Sequence, residues 1–358
     1  MAGMRSKYVA LFGVLTGCFV VIQFINFGQF RDDRSTINKM SDASDGFLRK
    51  SDPTGSQSVR IAACTCVRND VPYILEWIEY YRIQGFEKFW IFNDLSTDNI
   101  ELLEDLYDSK FPGRKYVEVF QHETPGNQPP AYTKCQEMAL AQGIDWVGVM
   151  DTDEFWYSPA YETVAKFIEA KAMDPTIGHI GYTQIRFGTS GQIKRFSYSL
   201  EKVGGWVILK NPAGVQLITE THIRRGPYEV LGEPAKNLSD SIANCSKPAR
   251  DGWMMCFNGN GDHKSMWRAD APIGEITPHS PKKIQSKYRM YSPDVNELRG
   301  NHYYYRSIDD AKKKSIDWKK PDPLDGVMSV DSYWNLINDV AILRFVPELQ
   351  KAMQYLLD

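Results

Sequence analysis

The sequence of 358 residues lacks an excess of charge of either sign, because 42 lysines and arginines face 45 aspartates and glutamates. No basic stripe stands out, and a nucleic-acid-binding protein needs one. The sequence is also poor in cysteine, with six residues, none at the spacing of a zinc site. These shortages argue against a nucleic-acid partner and against a cysteine-ligated zinc. Nine tryptophans and nineteen tyrosines, by contrast, suffice for a sizeable core and for a site that stacks on sugars or bases.

The N-terminal segment has the pattern of a membrane anchor. Residues 8–27 carry no charge, and about 20 apolar residues span a bilayer core. Arg5 and Lys7 precede them, so the positive-inside rule keeps residues 1–7 in the cytosol and sends the rest to the lumen. A cleaved secretory peptide is the alternative, but its apolar region is usually shorter and ends in small residues. We predict a transmembrane signal anchor at residues 8–30, then a flexible stem at residues 31–58.

The next part of the sequence alternates predicted strands and helices. Apolar runs predict strands at residues 61–67, 89–92, 116–121 and 146–150, and helical periodicity separates them. Asn69 or Asp70 is expected to cap the first helix, and Ser96 or Thr97 the second. Such alternation implies right-handed crossovers and a mostly parallel, Rossmann-like sheet flanked by helices. We place this α/β domain at residues 59–320 and a helical extension at residues 321–358.

The same topology also fits dehydrogenases, but an expected motif is missing. The first strand-to-helix turn reads Val-Arg-Asn-Asp-Val-Pro and lacks a Gly-x-Gly-x-x-Gly sequence. Without those glycines, a dinucleotide pyrophosphate cannot approach the backbone closely. A metal would have to neutralise the diphosphate instead.

Two acids follow the fourth predicted strand and are candidates to hold that metal. Asp151 and Asp153 are two residues apart, so their carboxylates project to one side if the backbone stays extended. Hard oxygen ligands suit Mg²⁺ or Mn²⁺ shared with a substrate phosphate. The alternative is a polar turn after a strand. His279 and His302 are candidates for a further metal ligand, although a lone histidine is more often structural.

Smaller signals come from the second half of the sequence. A strand at residues 180–187 leads to a polar loop at residues 188–191, which either lies beside an acceptor sugar or forms a plain hairpin turn. Cys245 and Cys256 are the best pair for a disulfide, though sequence cannot give connectivity. Asn237 and Asn244 stand in glycosylation acceptor patterns.

Several short motifs, in this order and spacing, resemble glycosyltransferase family 92, a group of Golgi enzymes. They are Cys66-Val-Arg-Asn, Leu75-Glu-Trp-Ile, Asn93-Asp-Leu-Ser-Thr-Asp, Asp151-Thr-Asp-Glu-Phe, Phe187-Gly-Thr-Ser-Gly, Lys264-Ser-Met-Trp-Arg, His279 and Asn301-His-Tyr-Tyr-Tyr-Arg-Ser. The resemblance covers residues 61–314. The family usually has a histidine after the Gly-Thr-Ser-Gly loop, where this chain has Gln192, a difference at the position that bears on acceptor preference.

The resemblance implies a GT-A fold that binds a UDP-sugar with Mn²⁺ or Mg²⁺ and often transfers galactose with inversion to a glycan on a glycoprotein or polysaccharide. It implies a type II protein of the Golgi membrane with a lumenal catalytic domain. The residues it assigns fall into three groups. They are Arg68, Asp94, Asp151, Lys264 and Arg268 for the nucleotide-sugar, Gly188, Thr189 and Ser190 for the acceptor loop, and Asp151, Asp153, His279 and His302 for the metal.

The expected reaction is a single in-line displacement, in which an acid side chain takes the proton of the acceptor hydroxyl. Asp262, Glu275 and Glu154 are candidates for that base, and we favour Asp262. The competing hypothesis is a catalytically silent, membrane-anchored carbohydrate-binding or scaffold protein. Retention of both Asp151 and Asp153 argues against it.

Overall fold

The computed structural model describes residues 58–225, 229–230, 233–234, 263–317 and 335–358. All of them belong to one compact unit, Ser56–Asp358. The predicted tail and anchor, nearly all of the stem, the Cys245–Cys256 pair, both glycosylation patterns and Asp262 lie outside the described residues. Among the helices of the described ranges, none is long and apolar enough to cross a membrane.

The first part of this unit alternates strands and helices, as the sequence predicts. Its elements are β1 Ile61–Val67, α1 Val71–Ile83, β2 Lys88–Asn93, α2 Leu103–Lys110, β3 Val117–Gln121, α3 Pro129–Gln142 and β4 Trp146–Val149, with a 3-10 turn at Ile100–Leu102. The strands pair in parallel in the order β3, β2, β1, β4. The predicted α/β fold with a large, mostly parallel sheet is therefore confirmed, with strand ends within one residue of the prediction.

The second part is less regular and extends the same sheet. Its elements are β5 Glu154–Tyr157, α4 Val164–Ala172, β6 Ile177–Arg186, β7 Ser199–Val203, β8 Trp206–Lys210, α5 Ile218–Thr221, β9 Arg224–Arg225, β10 Glu229–Val230, β11 Glu233–Pro234, β12 His263–Arg268, β13 Arg289–Tyr291, β14 Arg299–His302, α6 Ile308–Asp317, β15 Ile337–Asn338, a 3-10 turn Ala341–Phe345 and α7 Val346–Leu357. The strand order continues from β4 through β12, β6 and β14 to β5, and β13 also pairs with β6. Strand β12 is antiparallel to both neighbours, and β5 is antiparallel to β14.

Helix α1 is buried more completely than its amphipathic pattern indicates. The predicted apolar face, Ile74, Trp77, Ile78 and Tyr81, is fully buried. Glu76 and Glu79 on the same helix are also buried, since α7 packs on α1 and the backbone of α5 reaches it. Gly85 follows the helix at φ +92°, and a Cβ there would lie 2.5 Å from the Cβ of Ala165. Only glycine suits that position.

Asp70 is the N-cap residue of α1, one of the two positions predicted, but its side chain makes no capping hydrogen bond, and neither Ser96 nor Thr97 caps the next helix. The first N–H of α1, from Val71, donates to the carboxylate of Asp98 at 2.8 Å, so neither Asn69 nor Asp70 serves as the side-chain cap. Ser96 accepts from the N–H of Asn69 at 3.0 Å and caps no helix. Side chains from the loop after β2 thus satisfy the loop after β1, a long-range exchange that local sequence cannot reveal.

A disulfide joins Cys64 of β1 to Cys135 of α3, with Cα atoms 6.4 Å apart. The sequence did not identify this pair, because the two residues are 71 positions apart and meet only when α3 packs on the sheet. Cys66 keeps its thiol and points to the same side of β1. Burial raises the pKa of the Cys66 thiol to about 12, so this thiol is inert.

Candidate active site

The carboxyl ends of three parallel strands meet at one edge of the sheet, where open α/β proteins bind their ligands. Val67 of β1 pairs with Asn93 of β2, and Cys64 pairs with Val149 of β4. Arg68 follows β1 and Asp94 follows β2 directly, and Asp151 comes after β4 and Met150.

Arg68 and Asp94 form the outer part of this edge. The guanidinium of Arg68 donates to the backbone carbonyl of Asp94 at 2.6 Å and to its carboxylate at 2.8 Å. The other carboxylate oxygen accepts from the N–H of Gly126 at 2.9 Å. Asp94 therefore joins the loops after β1, β2 and β3. The side chain of Arg68 remains about half exposed, which leaves it accessible to an anionic ligand.

The chain turns sharply after β4, so the extended backbone assumed for the two aspartates is not observed. The N–H of Glu154 donates to the carbonyl of Asp151 at 3.0 Å, which closes a turn over residues 151–154. Asp153 is buried, whereas the Asp151 side chain is 37% exposed. The two carboxylates consequently meet different partners.

Asp151 is paired with a buried lysine. The ammonium of Lys264 on β12 donates to the Asp151 carboxylate at 2.8 Å and lies 3.9 Å from Glu154. Although burial opposes it, the charges of Asp151 and Glu154 raise the pKa of Lys264 above its ordinary value. The ammonium of Lys264 is therefore a permanent positive charge next to the acidic turn. Its position results from the pairing of β12 with β4 and β6.

Asp153, Glu154 and His302 form a buried cluster whose candidate ligand atoms all lie within 4.8 Å of one another. The Nε2 atom of His302 lies 3.6 Å from the Asp153 carboxylate. His302 is in position because it pairs with Glu154 where β14 runs antiparallel to β5. Two carboxylates and an imidazole at this separation can hold a divalent cation. The residues present thus fit the metal that the sequence predicts, with Glu154 taking a place that we expected for Asp151 or His279.

Glu154 is the most deeply enclosed acid of the cluster. It accepts from the N–H of Asp151 at 3.0 Å and from the side-chain amide of Gln184. Burial raises the pKa of Glu154 to about 8, and the negative charges of Asp151 and Asp153 add to that rise although Lys264 opposes it. Glu154 is far less accessible to an acceptor hydroxyl than the partly exposed Asp151, and this enclosure argues against Glu154 as the base.

Three other predicted site residues do not belong to this group of candidate ligands. Arg268 lies at the opposite end of β12 from Lys264, where it donates to the carbonyls of Ile177 and Ala172 at 3.0 and 2.9 Å. His279 is exposed, and its carbonyl accepts from Ser265 at 2.8 Å. Glu275 is exposed and paired with Lys282 at 2.8 Å.

The predicted acceptor loop begins beside the cluster. Arg186, the last residue of β6, pairs with His302, and after Phe187 the chain continues with Gly188, Thr189 and Ser190. The N–H of Ser190 donates to the side chain of Asn335 at 2.8 Å. A Cβ on Gly188 would lie 2.6 Å from the same Asn335 side chain, so glycine is required for this close approach.

Sequence reasoning missed a second buried group of charges behind the acidic turn. Arg306 donates two hydrogen bonds to the carboxylate of Asp70, at 2.9 and 2.8 Å. Thr152 also donates its hydroxyl to Asp70. Arg195 lies 3.7 Å from Asp70 and 3.0 Å from Asp310. The only signal in the sequence was Arg306 in the Asn-His-Tyr-Tyr-Tyr-Arg-Ser motif, and nothing linked it to Asp70.

An α/β fold that gathers ionisable side chains able to hold a cation at the carboxyl edge of its sheet is typical of ligand-binding proteins. A family model described as Glycosyltransferase family 92 matches residues 60–336, and the chain belongs to that family. The resemblance stated from the motifs is thereby confirmed.

Curated relatives in plants carry the same family name. The chain is 27% identical over 135 residues to a glycosyltransferase family 92 protein of Oryza sativa subsp. japonica. The aligned residues make up 37% of this chain and 22% of that protein. It is 29% identical over 122 residues to one of Arabidopsis thaliana, covering 34% of this chain and 20% of that protein. The alignments therefore span only about a fifth of these relatives.

Among solved structures, TarS 1-349 of S. aureus aligns with a TM-score of 0.32 and 12% identity, over 68% of this chain and 60% of that chain.

Proposed function

We propose that the protein is a metal-dependent glycosyltransferase that moves a sugar, galactose by preference, from a UDP-sugar to a glycan acceptor with inversion. Membership of glycosyltransferase family 92 supports a transfer reaction. The observation that carries the proposal is the buried cluster of Asp153, Glu154 and His302 at the ligand-binding edge of the sheet.

The three residues of this cluster would hold Mn²⁺ or Mg²⁺. Carboxylates suit either ion, but Mg²⁺ strongly prefers oxygen ligands, and the imidazole of His302 therefore favours Mn²⁺. When bound, such a cation offsets the negative charge of the departing diphosphate.

The residues around the cluster would bind the rest of the donor. The buried ammonium of Lys264 supplies a fixed positive charge for the diphosphate and is held by two acids, so little reorganisation is needed. Arg68 and Asp94 would contact the nucleoside part at the outer edge. We do not assign Arg268 to the donor site, because it lies at the opposite end of β12 from Lys264. Asp262 remains our proposed base.

A lumenal location follows as part of the proposal. The disulfide between Cys64 and Cys135 favours an oxidising compartment. We propose a type II protein of the Golgi membrane, anchored by residues 8–30, with its catalytic domain in the lumen.

A donor screen tests the proposal directly. The purified protein is incubated with a panel of UDP-sugars and glycan acceptors, with Mn²⁺, with Mg²⁺ or with chelator, and UDP release is measured. We expect metal-dependent release that is greatest with UDP-galactose. Glycan binding without turnover under any condition would instead favour the silent carbohydrate-binding protein. Asp105→Asn provides a control, since Asp105 is an exposed acid that pairs with Lys202 on the surface.

A further inference from the structure

Asp70 is a buried acid at the start of α1 that the proposed chemistry does not use. Its carboxylate accepts two hydrogen bonds from Arg306 and one from the hydroxyl of Thr152. Thr152 lies between Asp151 and Asp153 in the acidic turn. Asp70 therefore connects the first helix to the middle of the turn that presents the candidate metal ligands.

The Asp70–Arg306 pair is ionised although both side chains are buried. Burial alone would raise the pKa of Asp70, but the adjacent guanidinium of Arg306 holds it below its ordinary value. A buried ion pair is weak evidence of stabilisation, because apolar residues of similar size often serve as well. An ion pair of this kind instead fixes an orientation. The bidentate guanidinium of Arg306 holds the plane of the Asp70 carboxylate, and this carboxylate in turn holds the Thr152 hydroxyl in place.

The same chain segment that supplies Arg306 contacts the turn at two further points. The N–H of Tyr303 donates to the carbonyl of Asp153 at 2.8 Å, and His302 belongs to the candidate metal cluster. Residues 302–306 thus hold the acidic turn from one side through the backbone and from the other through Asp70. Partners that orient metal ligands in this way commonly change metal affinity when they are removed.

We propose that Asp70, Arg306 and Thr152 are positioning residues that set the geometry of the acidic turn at residues 151–154 and so tune the affinity of the metal cluster. The inference rests on the proposed function for the identity of the ligand, Mn²⁺. The three residues hold the turn at residues 151–154 in the metal-free protein as well.

Thr152→Val is the sharpest test, because it removes one hydroxyl, keeps the shape of the side chain and leaves Arg306 bound to Asp70. Binding of Mn²⁺ is measured by titration calorimetry, and hydrogen exchange at residues 151–154 is measured without metal. We expect Thr152→Val to weaken Mn²⁺ binding about 10-fold and to speed exchange in the turn, with a melting temperature close to that of the wild type. Asp70→Asn should have the same effects, only larger.

Glu79→Gln is the matched control. Glu79 lies on the same helix, is equally buried, and is paired with Arg82 and Tyr107 at 3.5 and 2.8 Å, but it does not contact the turn. The variant should lose stability and keep the Mn²⁺ affinity and exchange of the wild type.

The outcomes separate this inference from the proposed function. If the wild type binds Mn²⁺ and Thr152→Val binds it equally well, the inference is overturned. If the wild type binds no Mn²⁺, the proposed function fails, and the positioning role of Asp70, Arg306 and Thr152 is then tested by hydrogen exchange alone. Faster exchange at residues 151–154 then still supports the positioning role, and unchanged exchange refutes it.

Discussion

The two parts of the described domain contribute differently to the site. The first part, β1 to β4, is a regular parallel sheet whose loops present Arg68, Asp94 and Asp151, and two of these side chains are substantially accessible. The second part pairs irregularly across the sheet and supplies buried groups, namely Glu154, Lys264 and His302. The regular part thus forms an open edge, and the irregular part completes it with enclosed charges. Asp153, in the turn between them, belongs to both.

The largest effect should come from the residue at this junction. Asp153→Asn removes a charged ligand from the cluster, and we expect loss of metal-dependent UDP release by more than about 100-fold, since metal and charge stabilisation act together in the transition state. The melting temperature should stay within a few degrees of the wild type. Release is measured beside the Asp105→Asn control, and retained activity in Asp153→Asn would remove the residue from the metal site.

A second prediction concerns the first part alone. The disulfide links Cys64 to Cys135, 71 positions apart in the sequence, and removing it by the double change to alanine should lower the free energy of unfolding by about 2–4 kcal/mol. Affinity for Mn²⁺ should be unchanged, because neither cysteine contacts the cluster. Denaturant unfolding and metal titration of the same variant check the two statements. A large loss of metal affinity would mean that the two parts are more tightly coupled than we infer.

Glu76 connects the two parts and should make their attachment depend on pH. It lies on α1 and accepts from the N–H groups of Ile218 and Thr219 at 2.6 and 2.9 Å. Burial raises the pKa of Glu76 from 4.5 to about 7, so between these values the folded protein binds a proton that the unfolded chain releases. The contribution to stability is therefore fully present below pH 4.5 and is lost as pH rises to about 7.

The size of this effect follows from the change in pKa and is about 3 kcal/mol at most. Glu76→Gln should remove this pH-dependent contribution to stability. The difference in unfolding free energy between variant and wild type should therefore change between pH 4.5 and about pH 7. Melting curves at several pH values measure it. A difference that stays constant with pH would show that Glu76 is already ionised throughout.

The smallest predicted effect concerns the lysine that the second part adds to the first. Lys264→Met should weaken UDP binding about 10-fold, because one fixed positive charge near the diphosphate is lost. Asp151 is partly exposed, so water can solvate it after the change, and the fold should persist. Calorimetry with UDP and Mn²⁺ measures the loss, and unchanged affinity would place the diphosphate elsewhere.

Sequence reasoning succeeded where structure is local and periodic. Apolar runs and helical spacing gave β1 to β4 and their helices, and the motifs gave the family. It failed where the answer depends on long-range pairing. Lys264 and Arg268 look equivalent in the sequence, but four residues of strand separate them by about 13 Å and only Lys264 reaches the site. His302 is distinguished from His279 only by the antiparallel pairing of β14 with β5.

The conformation of the turn after β4 likewise could not be predicted from the neighbouring residues. Whether Asp151 and Asp153 act together depends on the backbone between them, and the hydrogen bond that closes the turn is made by Glu154. The roles of Asp70 and Arg306 depend on a contact across 236 positions of sequence. No periodicity encodes such a contact.

The most direct test of the account is the affinity for UDP measured by titration calorimetry with and without Mn²⁺, in the wild type and in His302→Gln. We predict that Mn²⁺ strengthens UDP binding at least about 10-fold in the wild type and has little effect in the variant. UDP binding that is equally tight without metal, or a variant that responds to Mn²⁺ as the wild type does, would contradict the claim that the two parts of the domain together build a metal site for a nucleotide diphosphate.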